Sequence, residues 1–95
     1  MITFNLWKSH KSIQEIAEER ALAISTIEGH MAELVGSSHI NISELLDSQK
    51  IDSIGKILKQ SKEMNLADVK RKLPDEISFY EIRAVMNHLK LIGEL

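Results

Sequence analysis

The side chains with the clearest chemical potential are basic residues in the second half of the chain. Six of them fall between positions 56 and 72: Lys56, Lys59, Lys62, Lys70, Arg71 and Lys72. Only Glu63 and Asp68 oppose them there, so this window carries a charge of +4. Such a cluster can contact nucleic-acid phosphates without reading base sequence, and Arg83 and Lys90 could extend it. A solvated surface of mixed charge is the other interpretation, and the sequence leaves both open.

A second set of polar residues lies in the segment SIQEIAEERALAISTIEGHMAELV, residues 12–35. Its apolar spacing predicts a short supporting helix, a tight turn and a second helix, which is the layout of a helix-turn-helix. Ser25, Thr26 and His30 would then lie at the start and on the outer face of the second helix. These three side chains are the candidate DNA contacts of that helix.

Two acidic residues oppose base recognition by the same helix. Its outer face has no Arg, Lys, Asn or Gln to pair with base edges, whereas Glu28 and Glu33 would repel phosphates. The spacing of Ser25 and Glu28 is that of a reciprocal N-capping box, which gives Glu28 a structural role. Toward the core, we expect Ala17 to allow close helix crossing and Leu22 to anchor the turn. Sequence-specific reading of DNA is therefore not expected.

The sequence contains no arrangement suited to catalysis or metal binding. It has no cysteine, and no Ser/His/Asp or Cys/His set supports nucleophilic catalysis. Its four histidines lack the spacing of metal ligands: His10, His30, His39 and His88. We therefore expect no catalytic activity, no cofactor, no metal and no small-molecule substrate.

Aromatic residues offer another route to nucleic acid. Trp7 and Phe4 could stack on unpaired bases, as aromatic side chains do in single-strand binders. Their helical spacing beside Leu6 favours packing in the core or against a partner protein. Phe79 and Tyr80, at the start of the last predicted helix, could pack in the same way.

Helical periodicity of apolar residues extends through almost the whole chain and predicts an all-α fold of about six short helices. Pairs of capping residues mark the predicted helix starts: Ser12 with Glu15, Ser25 with Glu28, Asn65 with Asp68, and Ser78 with Glu81. Thr3 and Ser43 are further candidate caps, and Gly36 is a predicted C-cap. Pro74 ends a helix, and Gly55 indicates close packing.

The two halves of the chain repeat one pattern. The apolar positions of residues 12–36 align with those of residues 65–91, which predicts two helix-turn-helix units in tandem within a single domain of residues 1–95. A helix near residues 51–60 would join them. Residues 37–42 are too few for the β-hairpin of a winged helix and allow a residual short strand at most.

The length, composition and charge of the chain limit the classes of protein to which it can belong. The 95 residues suit one domain, and 43% hydrophobic with 27% charged residues is the balance of a soluble globular protein. The net charge of −2 is unevenly distributed, with −3 on residues 1–50 and +1 on residues 51–95. The lack of cysteine suits the cytoplasm, and the N-terminal stretch has no long apolar core of a signal peptide.

This chain is similar to a known protein family in three strings: EIAEER, STIEGH and the ISELLD that follows them. They resemble the helix-turn-helix domain at the C-terminus of RecQ-family ATP-dependent DNA helicases, from about Thr3 through the last helix. That family usually has glycine at the positions of His10 and Ala21. The resemblance implies an accessory fragment of a longer chain that binds and hydrolyses ATP in DNA repair and recombination, in the cytoplasm with the nucleoid.

This sequence has no G-x-x-x-x-G-K-[ST] loop for ATP phosphates, so unwinding chemistry is expected elsewhere in such a protein. The leading hypothesis is a non-catalytic helicase domain that binds the DNA backbone through the basic residues at 56–72. A protein-interaction or spacer domain, docked on the helicase or on a repair partner, is the alternative. The layout also fits the output domain of a transcription regulator.

Overall fold

The computed structural model describes residues 2–60 and 65–95, and within these ranges it contains six α-helices, one 3-10 turn and no strand. The elements are α1 (Ile2–Lys8), α2 (Ile13–Arg20), α3 (Ile24–Gly36), the 3-10 turn (Ile42–Glu44), α4 (Ser48–Gln60), α5 (Leu66–Arg71) and α6 (Phe79–Leu91). The predicted all-α fold is confirmed, and the short strand allowed at residues 37–42 does not form. None of the described helices is long and apolar enough to cross a membrane.

Three of the predicted capping pairs form. Reciprocal boxes begin α2 at Ser12 with Glu15 and α6 at Ser78 with Glu81, and Asn65 begins α5 by accepting a hydrogen bond from the Asp68 N–H. Each pair satisfies backbone N–H groups that have no partner within the first turn of a helix.

Three other predicted caps are wrong. Helix α3 begins two residues earlier than an N-cap at Ser25 would allow, because Ala23 is already its extended N-cap and makes no side-chain hydrogen bond. Ser43 lies inside the 3-10 turn, which Asn41 caps instead. Thr3 lies within α1 and is fully buried. At each of these positions a short turn or a tertiary contact, and not the local capping pattern, determines where the residue lies.

Four helices end in the same way, with a left-handed residue after the helix: His10 at φ 69°, Ala21 at 54°, Ser38 at 66° and Gly93 at 79°. After α2, the Leu22 N–H donates to the Ala17 carbonyl at 2.9 Å, as in a Schellman motif. Gly36 is the last residue of α3, and the left-handed turn falls two residues later, so its prediction as a C-cap is wrong. Three of the four positions lack the glycine that this conformation favours.

The core lies between α3 and α6, which pack on each other more extensively than any other pair of elements. Ile27 and Met31 of α3 are fully buried there, as are Ile82 and Val85 of α6. Helices α1 and α2 cover α3, whereas α4 and α5 cover α6. The molecule is therefore two three-helix groups that meet through α3 and α6.

Helices α3 and α6 run in the same general direction. Toward their C-terminal ends, the Asn87 amide donates to the Ala32 carbonyl at 2.9 Å, and a Cβ at Gly36 would lie 3.3 Å from the Asn87 Cβ. Toward their N-terminal ends, Glu28 faces Glu81. The first turns of both helices consequently lie at one end of the molecule.

Helix α4 follows the same direction along α6. The Lys50 Nζ donates to the Glu81 carboxylate at 2.9 Å near the start of α6. The Lys59 Nζ lies 2.9 Å from the Glu94 carboxylate just after α6 ends. These two ion pairs place the two ends of α4 beside the corresponding ends of α6.

Candidate nucleic-acid interface

The outer face of α3 is the surface that a helix-turn-helix presents to DNA. Ser25 and Thr26 are exposed in its first turn, and Glu33 is exposed further along. The sequence of α3 contains no Arg, Lys, Asn or Gln. This face can offer two hydroxyl groups to a phosphate, but it has none of the side chains that pair best with base edges.

His30 is not part of that exposed face, so the sequence-based placement of this residue is wrong. Its Nδ1 lies 3.0 Å from the Thr3 Oγ1, and the Arg20 guanidinium donates to the same oxygen at 2.6 Å. The Thr3 hydroxyl therefore contacts both side chains. The three side chains connect α1 with α2 and α3, and His30 is half-buried among them.

Carboxylates converge where α3 and α6 begin. Burial raises the pKa of the half-buried Glu28, and the charge of Glu81 raises it further. Burial also acts to raise the pKa of Glu81, but hydrogen bonds from the Ser78 N–H and the Lys50 ammonium lower it overall. Burial and these two carboxylates raise the pKa of Tyr80. Glu28 therefore adds negative charge to the start of α3 and does not cap it.

The turn between α2 and α3 exposes two aliphatic side chains. Leu22 is 38% exposed and Ile24 is 49% exposed. The prediction that Leu22 anchors this turn in the core is wrong, because its backbone N–H is committed to closing α2 and its side chain remains at the surface. Ile16 and Ile27 fill the core on either side of the turn in sequence.

Lys56 and Lys59, the α4 basic group, are exposed beside the C-terminal end of α6. They line a shallow groove together with His88 and Glu94. The pair between Lys59 and Glu94 is about half exposed on both sides. Among the described residues, Lys56 makes no ion pair. This group thus presents Lys56, which shares the groove with Asp52, and Lys59, which a weak surface pair engages.

Lys70, Arg71 and Lys72, the α5 basic group, lie at the other end of α6. The Lys70 Nζ is 5.8 Å from the centre of the Phe79 ring, and Arg71 pairs with Asp68 of its own helix. Lys72 is exposed and has no ion-pair partner in the part of the chain that the structure describes. The remaining predicted member, Lys62, lies outside the described residues.

The predicted basic cluster is therefore two groups. One lies near Glu94 and the other near Phe79, and the 13 residues of α6 that separate these positions span about 20 Å. Arg83 and Lys90 are exposed on α6 itself. Two groups at this separation would meet different phosphates of a DNA backbone, because the duplex carries a charge about every 1.7 Å along its axis.

A further groove, which the sequence did not single out, lies where α1 meets α2. Its lining residues are Trp7, Lys8, His10, Lys11, Ser12, Glu15 and Glu44. Trp7 and Phe4 are both half-buried against the core, and the Phe4 ring meets the His39 ring edge-on at 5.5 Å. Phe79, by contrast, is 50% exposed beneath Lys70, so it does not pack in the core.

Metal binding has no structural support in the described ranges, which contain no group of three or more His, Cys, Asp and Glu side chains placed to hold an ion. His10, His30, His39 and His88 consequently remain single side chains, each in a different environment.

Comparison with known proteins agrees with the helix-turn-helix layout of the fold. Residues 1–86 match the family described as the helix-turn-helix domain, so the match extends from α1 into α6. Searches of curated proteins and of solved structures gave no significant match. These comparisons contain no link to helicases. With most of its length matched, the chain belongs to the helix-turn-helix domain family.

Proposed function

We propose that this domain binds DNA through phosphate contacts and does not read base sequence. Membership of the helix-turn-helix family supports DNA as the partner. The phosphate mode rests on one contrast: α3 carries carboxylates and no base-pairing side chain, whereas the α4 basic group and most of the α5 basic group are exposed near opposite ends of α6. Phosphates dominate non-specific affinity, and lysine and arginine are their usual partners.

The individual contacts follow from the surroundings of each cation. Lys56 and Lys72 are exposed without an ion pair among the described residues, and a phosphate can compete with Glu94 for Lys59. Ser25 and Thr26 begin α3 at the same end of the molecule as the α5 basic group, so their hydroxyl groups could add contacts there. His30 is not among the proposed DNA contacts, because its ring forms a hydrogen bond with Thr3.

The test is a titration of fluorescein-labelled duplex DNA at a series of salt concentrations, followed by anisotropy. We expect a dissociation constant of about 1–100 μM at physiological salt, which is the range of non-specific binding. The double variant Lys56→Gln/Lys59→Gln should weaken binding and reduce the slope of log affinity against log salt by about 2, one for each lost phosphate contact.

The matched control is Lys8→Gln/Lys11→Gln, which removes the same charge from the opposite half of the chain. Duplex affinity should change much less in this control. Absence of duplex binding even at low salt, or equal effects of the two double variants, would count against the proposed surface. Random-sequence and single-sequence duplexes should bind alike.

We further propose that the domain serves a RecQ-type DNA helicase as a non-catalytic accessory domain, located with the nucleoid in the cytoplasm. Its support is the resemblance of EIAEER and STIEGH to the C-terminal domain of those helicases, together with the lack of an ATP phosphate loop. Fusion of the chain to the C-terminus of a RecQ-type helicase core should tighten binding of forked DNA. An unchanged affinity for the fork would contradict this role.

A protein-interaction or spacer domain is the second candidate, and the turn between α2 and α3 favours it. Leu22 and Ile24 are exposed, and Ile24 lies one helical turn before the carboxylate of Glu28, a surface more suited to a protein than to DNA. Co-elution with a purified helicase core that survives high salt and is lost in Ile24→Gln would support this candidate. Co-elution that disappears at high salt would instead favour DNA as the bridge.

A further inference from the structure

The groove between α1 and α2 combines an aromatic ring with two lysines and two carboxylates. Trp7 is half-buried and lines the groove, so part of its indole ring is accessible. Lys8, His10 and Lys11 follow it on the same rim. The left-handed conformation of His10 turns the chain back after α1 and brings these residues around the mouth of the groove.

The two carboxylates of this groove are committed to the backbone. Glu15 accepts a hydrogen bond from the Ser12 N–H at 2.9 Å, and Glu44 accepts one from the Asn41 N–H at 2.8 Å. The bonds from Ser12 lower the pKa of Glu15. Glu15 also lies in the first turn of α2, where the helix dipole offsets part of its charge.

The lysines of the groove are less firmly engaged. The Lys8 Nζ lies 5.5 Å from the Phe4 ring centre and is otherwise exposed. The Lys11 Nζ is 3.5 Å from the Glu19 carboxylate, a long surface pair that contributes little. The groups that remain open to a ligand are therefore one indole ring and two ammonium groups.

We propose that this groove holds single-stranded DNA, with an unpaired base stacked on Trp7 and the adjacent phosphates on Lys8 and Lys11. Aromatic platforms flanked by cations bind single strands with little sequence preference, because every base has a π-face. A duplex keeps its bases stacked inside and would not offer one to the indole ring. The inference rests on the proposed binding of DNA and adds a surface separate from the α4 and α5 basic groups.

The fluorescence of Trp7 gives a direct test, because it is the only tryptophan in the chain. Titration with an oligothymidylate should quench this fluorescence to saturation, and a duplex of equal length should quench it much less. With a fluorescein-labelled oligothymidylate, Trp7→Leu should weaken binding about tenfold, within the range for stacking on one aromatic side chain. Circular dichroism of each variant checks that the helices are intact.

A second variant avoids the half-buried ring. Lys8→Gln/Lys11→Gln leaves Trp7 in place and should reduce the salt slope of single-strand binding by about 1.4. Lys56→Gln/Lys59→Gln should leave the quenching by oligothymidylate largely intact while it weakens duplex binding. Single-strand binding without quenching, and without an effect of Trp7→Leu, would overturn this groove as the site. Failure of the wild-type chain to bind duplex would instead overturn the proposed function.

Discussion

Ala21 ends α2 at φ 54°, in the left-handed region. An L-residue with a Cβ pays roughly 1–2 kcal/mol for this conformation, and glycine avoids most of that cost. Ala21 is exposed, so its methyl group contributes little packing. We therefore expect Ala21→Gly to raise the free energy of unfolding by about 1 kcal/mol, measured by urea denaturation. His10 adopts the same left-handed conformation at φ 69°.

The matched control for this prediction is Ala67→Gly. Ala67 is also exposed but lies in the first turn of α5, where glycine is less favourable than alanine. The two substitutions should shift stability in opposite directions. A loss of stability in both would show that backbone freedom of the unfolded chain outweighs the strain at Ala21.

Glu28 should destabilise the folded chain at neutral pH. Burial and the charge of Glu81 raise its pKa in the folded state above 4.5, so ionisation costs more there than in the unfolded chain. This cost is absent at low pH and grows as pH rises through the folded-state pKa. Glu28→Gln should therefore stabilise the protein at pH 7 by about 0.5 kcal/mol, the size of a like-charge pair, and the gain should shrink as pH falls toward 4.5.

Glu33→Gln is the control for the pH effect, since Glu33 is exposed on the same helix. Denaturation curves of both variants over the same pH series are the measurement. A gain for Glu28→Gln that is independent of pH, or an equal gain for Glu33→Gln, would show that burial of the Glu28 charge beside Glu81 is not the cause.

A helix start was predictable from the sequence where the capping residue is also the last extended residue before the helix. It was not predictable where the preceding turn places the N-cap at another residue. Ser12 and Ser78 are each the last extended residue before a helix, so each can form its box with the glutamate three residues later. Ser25 has the same spacing to Glu28, but the tight turn after α2 makes Ala23 the last extended residue and draws Ser25 into α3. A sequence pattern cannot show that preference, because it depends on how α2 ends.

Two helical glycines, Gly36 of α3 and Gly55 of α4, should respond oppositely to substitution by alanine. At Gly36 a Cβ would lie 3.3 Å from the Asn87 Cβ, so Gly36→Ala must displace the side chain that bonds the Ala32 carbonyl. We expect a loss of about 1 kcal/mol from this crowding. At Gly55 the nearest atoms, from Leu89 and Val85, would be 3.9 and 4.0 Å away, an ordinary contact.

Gly55→Ala should therefore gain up to about 1 kcal/mol from helix propensity, although the sequence predicts close packing at this glycine. Thermal and urea unfolding of the two variants provide the comparison. If Gly36→Ala proves as stable as the wild type, Asn87 adapts without losing its hydrogen bond, and the close approach of α3 and α6 does not require glycine.

The all-α fold of the molecule was predictable, whereas the shape of its charged surface was not. Helical periodicity survives any tertiary arrangement, so the helices could be placed from apolar spacing alone. The window from residue 56 to 72 is continuous in sequence, yet α4 and α5 bring its lysines to opposite ends of α6. His30 shows the same limit, since its burial depends on α1 folding over α3 and placing Thr3 beside it.

The distribution of charge over the molecule predicts that removing one carboxylate strengthens the binding of duplex DNA. Glu94 forms an exposed ion pair with Lys59 of the α4 basic group. Glu94→Gln frees this lysine and removes a charge that repels phosphate, so duplex affinity should rise about threefold at low salt, and the gain should fade as salt screens it. Stability should change by less than about 1 kcal/mol, because the lost pair is solvent-exposed.

Glu33→Gln makes the same change in net charge on α3, away from the α4 basic group. Anisotropy titrations of both variants with one labelled duplex give the comparison. If DNA lies along α4 and α6, only Glu94→Gln should gain affinity, because its effect is local to Lys59. An equal gain for both variants would mean that net charge alone governs binding, and the α4 basic group would then lose its special role.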